Sequence, residues 1–350
     1  MNKFSVIVKC LKEKDIDCAL FLTDEHINPN IFYLTGYKGA GYLLVFAKET
    51  ILHVPSRDLT EAKNMKGITI SSGKKLHEVL SEKGLKFNKI AVDFANISAL
   101  EINNLKEKLG REFFDLTEIM NEMRMIKGND EVDKIRKACA ITDEIIGKFI
   151  DKFSEFNTEE NAAAFLVYEA LKSGCDLAFE PIVASGYNAA IPHHKPQGRI
   201  MDGFCVVDFG VKYKGYCSDI TRTIYFGKPN KEEEKIYEDL LKEQERIICL
   251  VKHGAVISDL YVEAEKNLKQ KLIHSLGHGM GVEVHESPNI NKKSKSLLKE
   301  GMVITIEPGE YVEGKYGIRI EDDVLVTSSG PEVLSKFTKK LICLYSRSIK

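Results

Sequence analysis

The stretch "VVDFGVKYKGYCSDITRTIYF", Val206 to Phe226, decides how this chain is read. Its β-branched and aromatic residues have the composition of a strand pair, and "KYKG" near its middle has the character of a turn. Asp208 and Asp219 interrupt the apolar pattern, eleven residues apart. A turn centred on Tyr213 and Lys214 places the two aspartates directly opposite each other, on one face of an antiparallel pair. Like charges so placed repel, and burial adds a desolvation penalty to each. The pattern therefore predicts a positive charge between them.

A second stretch repeats the device. In "GMVITIEPGEYVEGKYGIRIEDDVLVT", residues 301–327, Glu307 and Glu321 are symmetric about Gly314 in the loop "EGK". One acid in a strand is usually an edge or solvent-face residue; two hairpins with facing acids point to a common cation site. His278 in "HSLGHGMGVEVHE" is the candidate fifth member, with glycines on both sides that let backbone pass close to a crowded site. Those glycines do not form a dinucleotide loop, because the segment before them reads as helix rather than strand. Four carboxylates and one imidazole make a hard, oxygen-rich set suited to two divalent ions about 3.5–4 Å apart. Ligand softness points to Mn²⁺, Co²⁺, Fe²⁺ or Zn²⁺ rather than a thiolate-type site, without choosing among them.

Around these stretches lies an ordinary globular composition. The chain has 350 residues, 43% hydrophobic and 29% charged, with a formal net charge of −2. That near-neutral balance gives no electrostatic case for nucleic acid or an anionic membrane as a partner. No apolar run approaches the roughly 18 residues of a membrane span. The eight cysteines are scattered without a C-x-x-C pair, which favours reduced thiols and a cytoplasmic location.

The fold class expected is α/β (α+β), in two domains: residues 1–122 and residues 123–350. In the first, "FSVIVKCLKEKDIDCALFL" reads as a helix leading into a strand, "GYLLVFAKETILHV" as a strand pair and "KIAVDF" as a short buried strand. "SALEINNLKEKL" opens with Ser98 and Glu101 as a capping box. In the second, residues 123–153 predict a long amphipathic helix with Asn129 or Asp130 capping it. Further helices are expected over 158–172, 231–251 and 258–273.

The ordered set Asp208, Asp219, His278, Glu307, Glu321 resembles the ligands of the pita-bread metallopeptidases: methionine aminopeptidase, aminopeptidase P and prolidase. "IVASGYNAAIPHH" is similar to the family's substrate-side strand and loop, and "NIFYLTGYKGAGYLLVF" to the N-terminal domain of the Xaa-Pro subgroup. The resemblance implies a small creatinase-like N-terminal domain and a pita-bread catalytic domain. It implies hydrolysis of Xaa-Pro bonds by a dinuclear site in proline-containing di- or oligopeptides, and a homodimer. By the same resemblance, His193 lies near the leaving nitrogen and His285 steadies the tetrahedral oxyanion. Glu307 both ligates and carries the proton, His274 and Arg319 line the proline side, and Thr221 orients Asp219. His194 has no family role and reads as a surface residue or one behind the ligands.

Prolidase, which cuts dipeptides, is favoured over aminopeptidase P, which trims longer peptides. Yet "HESPN" carries Asn289 where many prolidases resemble "HExPR". The N-terminal aromatic loop "IFYLTGYKG", residues 31–39, is expected to reach across the dimer into the partner's pocket. Creatinase and the metal-free binding modules of this fold lack the ligands, and all five are present here.

Overall fold

The computed structural model describes residues 3–23, 27–65, 67–82 and 88–345. It divides into two compact units, Met1–Arg124 and Met125–Lys350.

The first unit is a six-stranded mixed sheet with helices packed on it. Its strands run in the order Thr69–Ser72, Thr50–Val54, Gly41–Val45, Cys18–Thr23, Lys89–Val92, Glu112–Asp115. The central pairs are antiparallel and the outer ones parallel. Cys18, Leu20, Leu44, Ile51, Ile90 and Val92 form its core with Val79 and Leu80 from a covering helix. The capping box at Ser98 is present, with the helix Ala99–Leu109 behind it. The expected aromatic loop is instead the helix Pro29–Thr35, N-capped by Asn28. Ile31, Tyr33 and Tyr37 point into this unit's own core, and Tyr33 Oη donates to the Met123 carbonyl at 2.8 Å. The Tyr33 and Tyr37 rings are thus buried within this unit, while Phe32 is half-buried.

The second unit has two helix-on-sheet cores. In one, the helices Asn129–Lys152 and Glu159–Lys172 cover the four-stranded sheet that contains Ile182–Ser185, Gly203–Phe209 and Ile220–Phe226. In the other, Lys231–Leu250 and Ile257–Asn267 cover a five-stranded sheet that contains Gly277–Gly279, Val303–Ile306 and Asp322–Thr327. The first long helix is capped by Gly128 rather than Asn129 or Asp130: Glu131 Oε2 reaches back to the Gly128 N–H at 2.9 Å. The Ile257 helix stops at Asn267, short of the expected 273, because Leu268 turns extended and Leu272 is drawn into the core.

The register of the first hairpin corrects the expectation. Lys214 and Gly215 both have positive φ, 48° and 84°, the signature of a two-residue type I′ turn. Tyr213 therefore pairs with Tyr216, and Asp208 faces Thr221 rather than Asp219. Asp219 lies in a break, residues 218–219, between the strands Tyr216–Cys217 and Ile220–Phe226. The second hairpin keeps its expected register about Gly314: Gly309 pairs with Arg319, and Ile306 with Asp322. Glu307 and Glu321 fall between these two ladders, again where strand pairing is interrupted.

Candidate metal centre

Asp219, Glu307 and Glu321 sit where strand pairing is interrupted, whereas Asp208 lies within the strand Gly203–Phe209, and the backbone N–H groups of Asp219 and Glu321 bond across from one hairpin to the other. The Glu321 N–H donates to the Thr221 carbonyl at 3.1 Å, and the Asp219 N–H to Asp323 Oδ2 at 3.0 Å. His278 is brought in on the short strand Gly277–Gly279. A Cβ on Gly277 would lie 2.0 Å from the Thr305 carbonyl oxygen, so glycine is required for this close approach.

One ligand atom from each of Asp219, His278 and Glu321 lies within 4.8 Å of the others, all on buried residues. His278 Nε2 stands 3.5 Å from both Asp219 Oδ2 and Glu307 Oε1. Its Nδ1 faces the Gly279 carbonyl at 3.1 Å, and a carbonyl only accepts, so Nδ1 carries the proton. Burial, with His285 next, holds the imidazole down to about 4, so it is neutral. Nε2 thus directs a lone pair at two carboxylate oxygens, an arrangement that calls for a cation among them.

The carboxylates report the same deficit. Asp208 Oδ1 and Glu321 Oε1 are buried and make no hydrogen bond. Burial and then repulsion from Glu321 push the Asp219 and Glu307 carboxyls well above their ordinary range. Glu321 is raised to about 8 by burial and Asp208. This donor set of carboxylate oxygens and one neutral imidazole fits divalent ions of the borderline class. Asp208, Asp219, His278, Glu307 and Glu321 are the residues that would hold them.

Comparison with known proteins follows the same lines. The model of metallopeptidase family M24 matches residues 133–328, and that of the Creatinase/Prolidase N-terminal domain matches residues 6–126. The chain belongs to metallopeptidase family M24. A protein named Xaa-Pro dipeptidase from Pyrococcus furiosus is 35% identical over 352 residues, 97% of this chain and 99% of that one. The structure of the prolidase from Pyrococcus horikoshii OT3 superposes with a TM-score of 0.91 at 34% identity, covering 98% of this chain and 100% of its own. An X-Pro aminopeptidase from Thermotoga maritima superposes with a TM-score of 0.88 at 31% identity, over 98% of this chain and 100% of its own.

Arg319 ties the carboxylates of this M24 peptidase's candidate site together. It is almost fully buried, and Nη2 donates to Asp208 Oδ2 at 2.7 Å. Nε donates to Thr221 Oγ1 at 3.1 Å, and that hydroxyl donates to Glu321 Oε2 at 2.6 Å. Thr221 therefore orients Glu321, not Asp219; the group that holds Asp219 is Asp323. Nη1 donates to Tyr311 Oη at 2.9 Å and to the Pro192 carbonyl at 3.3 Å. His274 Nδ1 lies 2.7 Å from the Ser275 carbonyl and so carries the proton. Burial lowers the His274 pKa, and its unprotonated Nε2 accepts from Tyr311 Oη at 3.0 Å. Arg319, Tyr311 and His274 thus form a directed chain.

Of the remaining histidines, His285 packs edge-on to His278 with ring centroids 4.5 Å apart. Partial burial and then His193 hold its pKa below the usual range. His193 is exposed, and its nearness helps lower the pKa values of both His274 and His285. His194 is no surface residue: it is buried, with Nε2 2.7 Å from Glu159 Oε2. Asp323, Tyr311 and Glu159 escaped the sequence pattern. Only the acidic run "EDD" beside Glu321 hinted at the first.

Proposed function

We propose that this M24 peptidase is an Xaa-Pro dipeptidase that uses two divalent ions, Mn²⁺ or Co²⁺ ahead of Zn²⁺ or Fe²⁺. The observation that carries the metal assignment is the neutral His278 Nε2 facing two carboxylate oxygens at 3.5 Å. Dipeptide specificity is supported by the dipeptidase and prolidase relatives that match along nearly the whole chain. The eight free thiols suit a reducing cytoplasm, and the family resemblance supports a homodimer.

When bound, the ions would supply Lewis acidity and a water acidified toward neutral pH. Glu307, raised in pKa and open on one side, takes up a proton at Oε1 and delivers it to the prolyl nitrogen as the C–N bond breaks. His285 donates to the oxygen of the scissile carbonyl, where negative charge develops. His193 lies on the exposed side, toward the leaving nitrogen. Tyr311, His274 and Arg319 bond to one another and form a fixed wall on the proline side. Proline suits such a wall, because its amide nitrogen brings no N–H that must be satisfied.

A second reading, aminopeptidase P activity on longer peptides, is favoured by one observation. Each nitrogen of the Arg319 guanidinium is hydrogen-bonded within the protein, and the exposed position 289 holds Asn rather than Arg. A dipeptide's carboxylate therefore lacks an evident arginine partner at either place. Turnover of Ala-Pro, Ala-Pro-Ala and Ala-Ala by the Mn²⁺-loaded enzyme separates the readings. Faster hydrolysis of Ala-Pro-Ala than of Ala-Pro would reverse the assignment, and hydrolysis of Ala-Ala alone would reject both.

A further inference from the structure

The loop that carries His193 is built around a carboxylate that none of the steps above uses. Glu159 opens the helix Glu159–Lys172 and is fully buried. Its Oε1 accepts from the Ser185 N–H at 2.7 Å, the Ser185 hydroxyl at 2.7 Å and Asn188 Nδ2 at 3.2 Å. Its Oε2 accepts from Asn188 Nδ2 at 3.2 Å, His194 Nε2 at 2.7 Å and the Gln197 N–H at 3.0 Å. The Glu159 N–H donates to the Gly198 carbonyl at 3.0 Å. Helix capping does not explain this pattern, because every side-chain contact runs outward to segment 185–198. An acceptor-only carboxylate is the one group that satisfies so many converging donors at once.

We propose that Glu159 is a positioning residue for peptide hydrolysis, fixing segment 185–198 so that His193 is presented to the substrate; this rests on the Xaa-Pro peptidase reading above. The histidine stands between two anchored neighbours. On one side the Pro192 carbonyl accepts from Arg319, which also holds Asp208. On the other, His194 is held by Glu159 through its ring and by the Ile191 carbonyl through its N–H at 3.1 Å. One tripeptide is thereby tied to the ligand cluster at its front and to a buried carboxylate at its back. Only the His193 side chain is left facing outward.

The test combines a double-mutant cycle with hydrogen exchange on Mn²⁺-loaded protein. Glu159→Gln keeps the shape but turns an amide NH₂ toward donors. Wild type, E159Q, H193A and the double variant are assayed on Ala-Pro. The expected result is unchanged metal content and a fall in kcat, rather than a rise in KM, of about tenfold or more for E159Q. In the H193A background the same substitution should cost less than about twofold, since coupled residues are non-additive. The Ser185 and Gln197 amides should exchange about tenfold faster in E159Q, with other amides unaffected. Equal losses in both backgrounds, or unchanged exchange, would overturn the proposal. If E159Q does not fold, His194→Gln, which leaves the carboxylate and its backbone donors in place, goes through the same kinetic cycle; a fall in kcat that disappears in the H193A background supports the proposal, and equal losses in both backgrounds overturn it. Failure of the wild type to cut Ala-Pro would sink the Xaa-Pro reading alone. The exchange result would still judge Glu159, and the cycle would move to whichever peptide the enzyme hydrolyses.

Discussion

Glu321→Gln should stabilise the metal-stripped protein while destroying its metal site. In the folded chain the Glu321 carboxyl is raised from an ordinary 4.5 to about 8, by burial and by Asp208. A raised pKa means that the contribution to stability is complete below the unfolded value of 4.5 and is lost as pH climbs through the folded value. Between pH 6 and 8 the unfolded chain has released this proton and the folded chain largely keeps it. At 1.36 kcal/mol per unit of pKa, the stripped wild type should lose about 2 kcal/mol over that interval. For a unit of this size that is roughly 4–8 °C in Tm.

The glutamine has no such proton and should show a much flatter profile. Thermal melts of chelator-treated wild type and E321Q, followed by circular dichroism from pH 5 to 8, measure the difference directly. Adding Mn²⁺ should reverse the wild-type trend, because ions bind the ionised carboxylates and compete with protons; E321Q should respond weakly. Parallel pH profiles for the two stripped proteins would refute the reasoning. They would mean that Glu321 stays ionised without metal, held by Thr221 and the Arg319 guanidinium.

The other expectations concern single side chains. Asp219→Asn should leave the fold intact and reduce hydrolysis of Ala-Pro below about a tenth of wild type; more activity than that with two ions bound would remove Asp219 from the ligand set. His194→Ala should lower stability by about 1–3 kcal/mol, because it strips a donor from a buried carboxylate. His193→Ala should change stability by less than about 0.5 kcal/mol yet impair turnover. The reverse pattern would mean that the roles of the two histidines are exchanged. Arg319→Lys should cut kcat/KM alike for Ala-Pro and Ala-Pro-amide, since the arginine bonds to Asp208, Thr221 and Tyr311. A selective loss for Ala-Pro would give it the substrate carboxylate instead.

How far the sequence reached depended on where the deciding interaction lay. The Glu307–Glu321 register was legible because the loop about Gly314 is tight and both strands run symmetrically from it. The turn centre was misjudged by one residue and the Asp208 pairing therefore by two, because Lys214 adopts a positive φ that side-chain-bearing residues seldom take. That shift put Thr221 opposite Asp208, and with it the hydroxyl went to Glu321. The surface alternative for His194 failed for a different reason: its partner is Glu159, thirty-five residues away, and no local pattern records such a pairing. The aromatic helix Pro29–Thr35 shows the same limit, since composition says that its rings will be buried but not against what. The four carboxylates were singled out because each violated the apolar rule of the strand it was read in, a conflict visible within a few residues.

The cross-hairpin bonds Glu321 N–H to Thr221 and Asp219 N–H to Asp323 run between protein groups. With Arg319 tying Asp208 to the Thr221–Glu321 pair, the two halves of the site are joined by protein alone. A divalent ion held among these carboxylates would relieve their mutual repulsion on a main chain that these bonds already brace. Such a centre should load quickly and exchange one divalent ion for another without unfolding, so the ion at work would be set by local supply as much as by the protein.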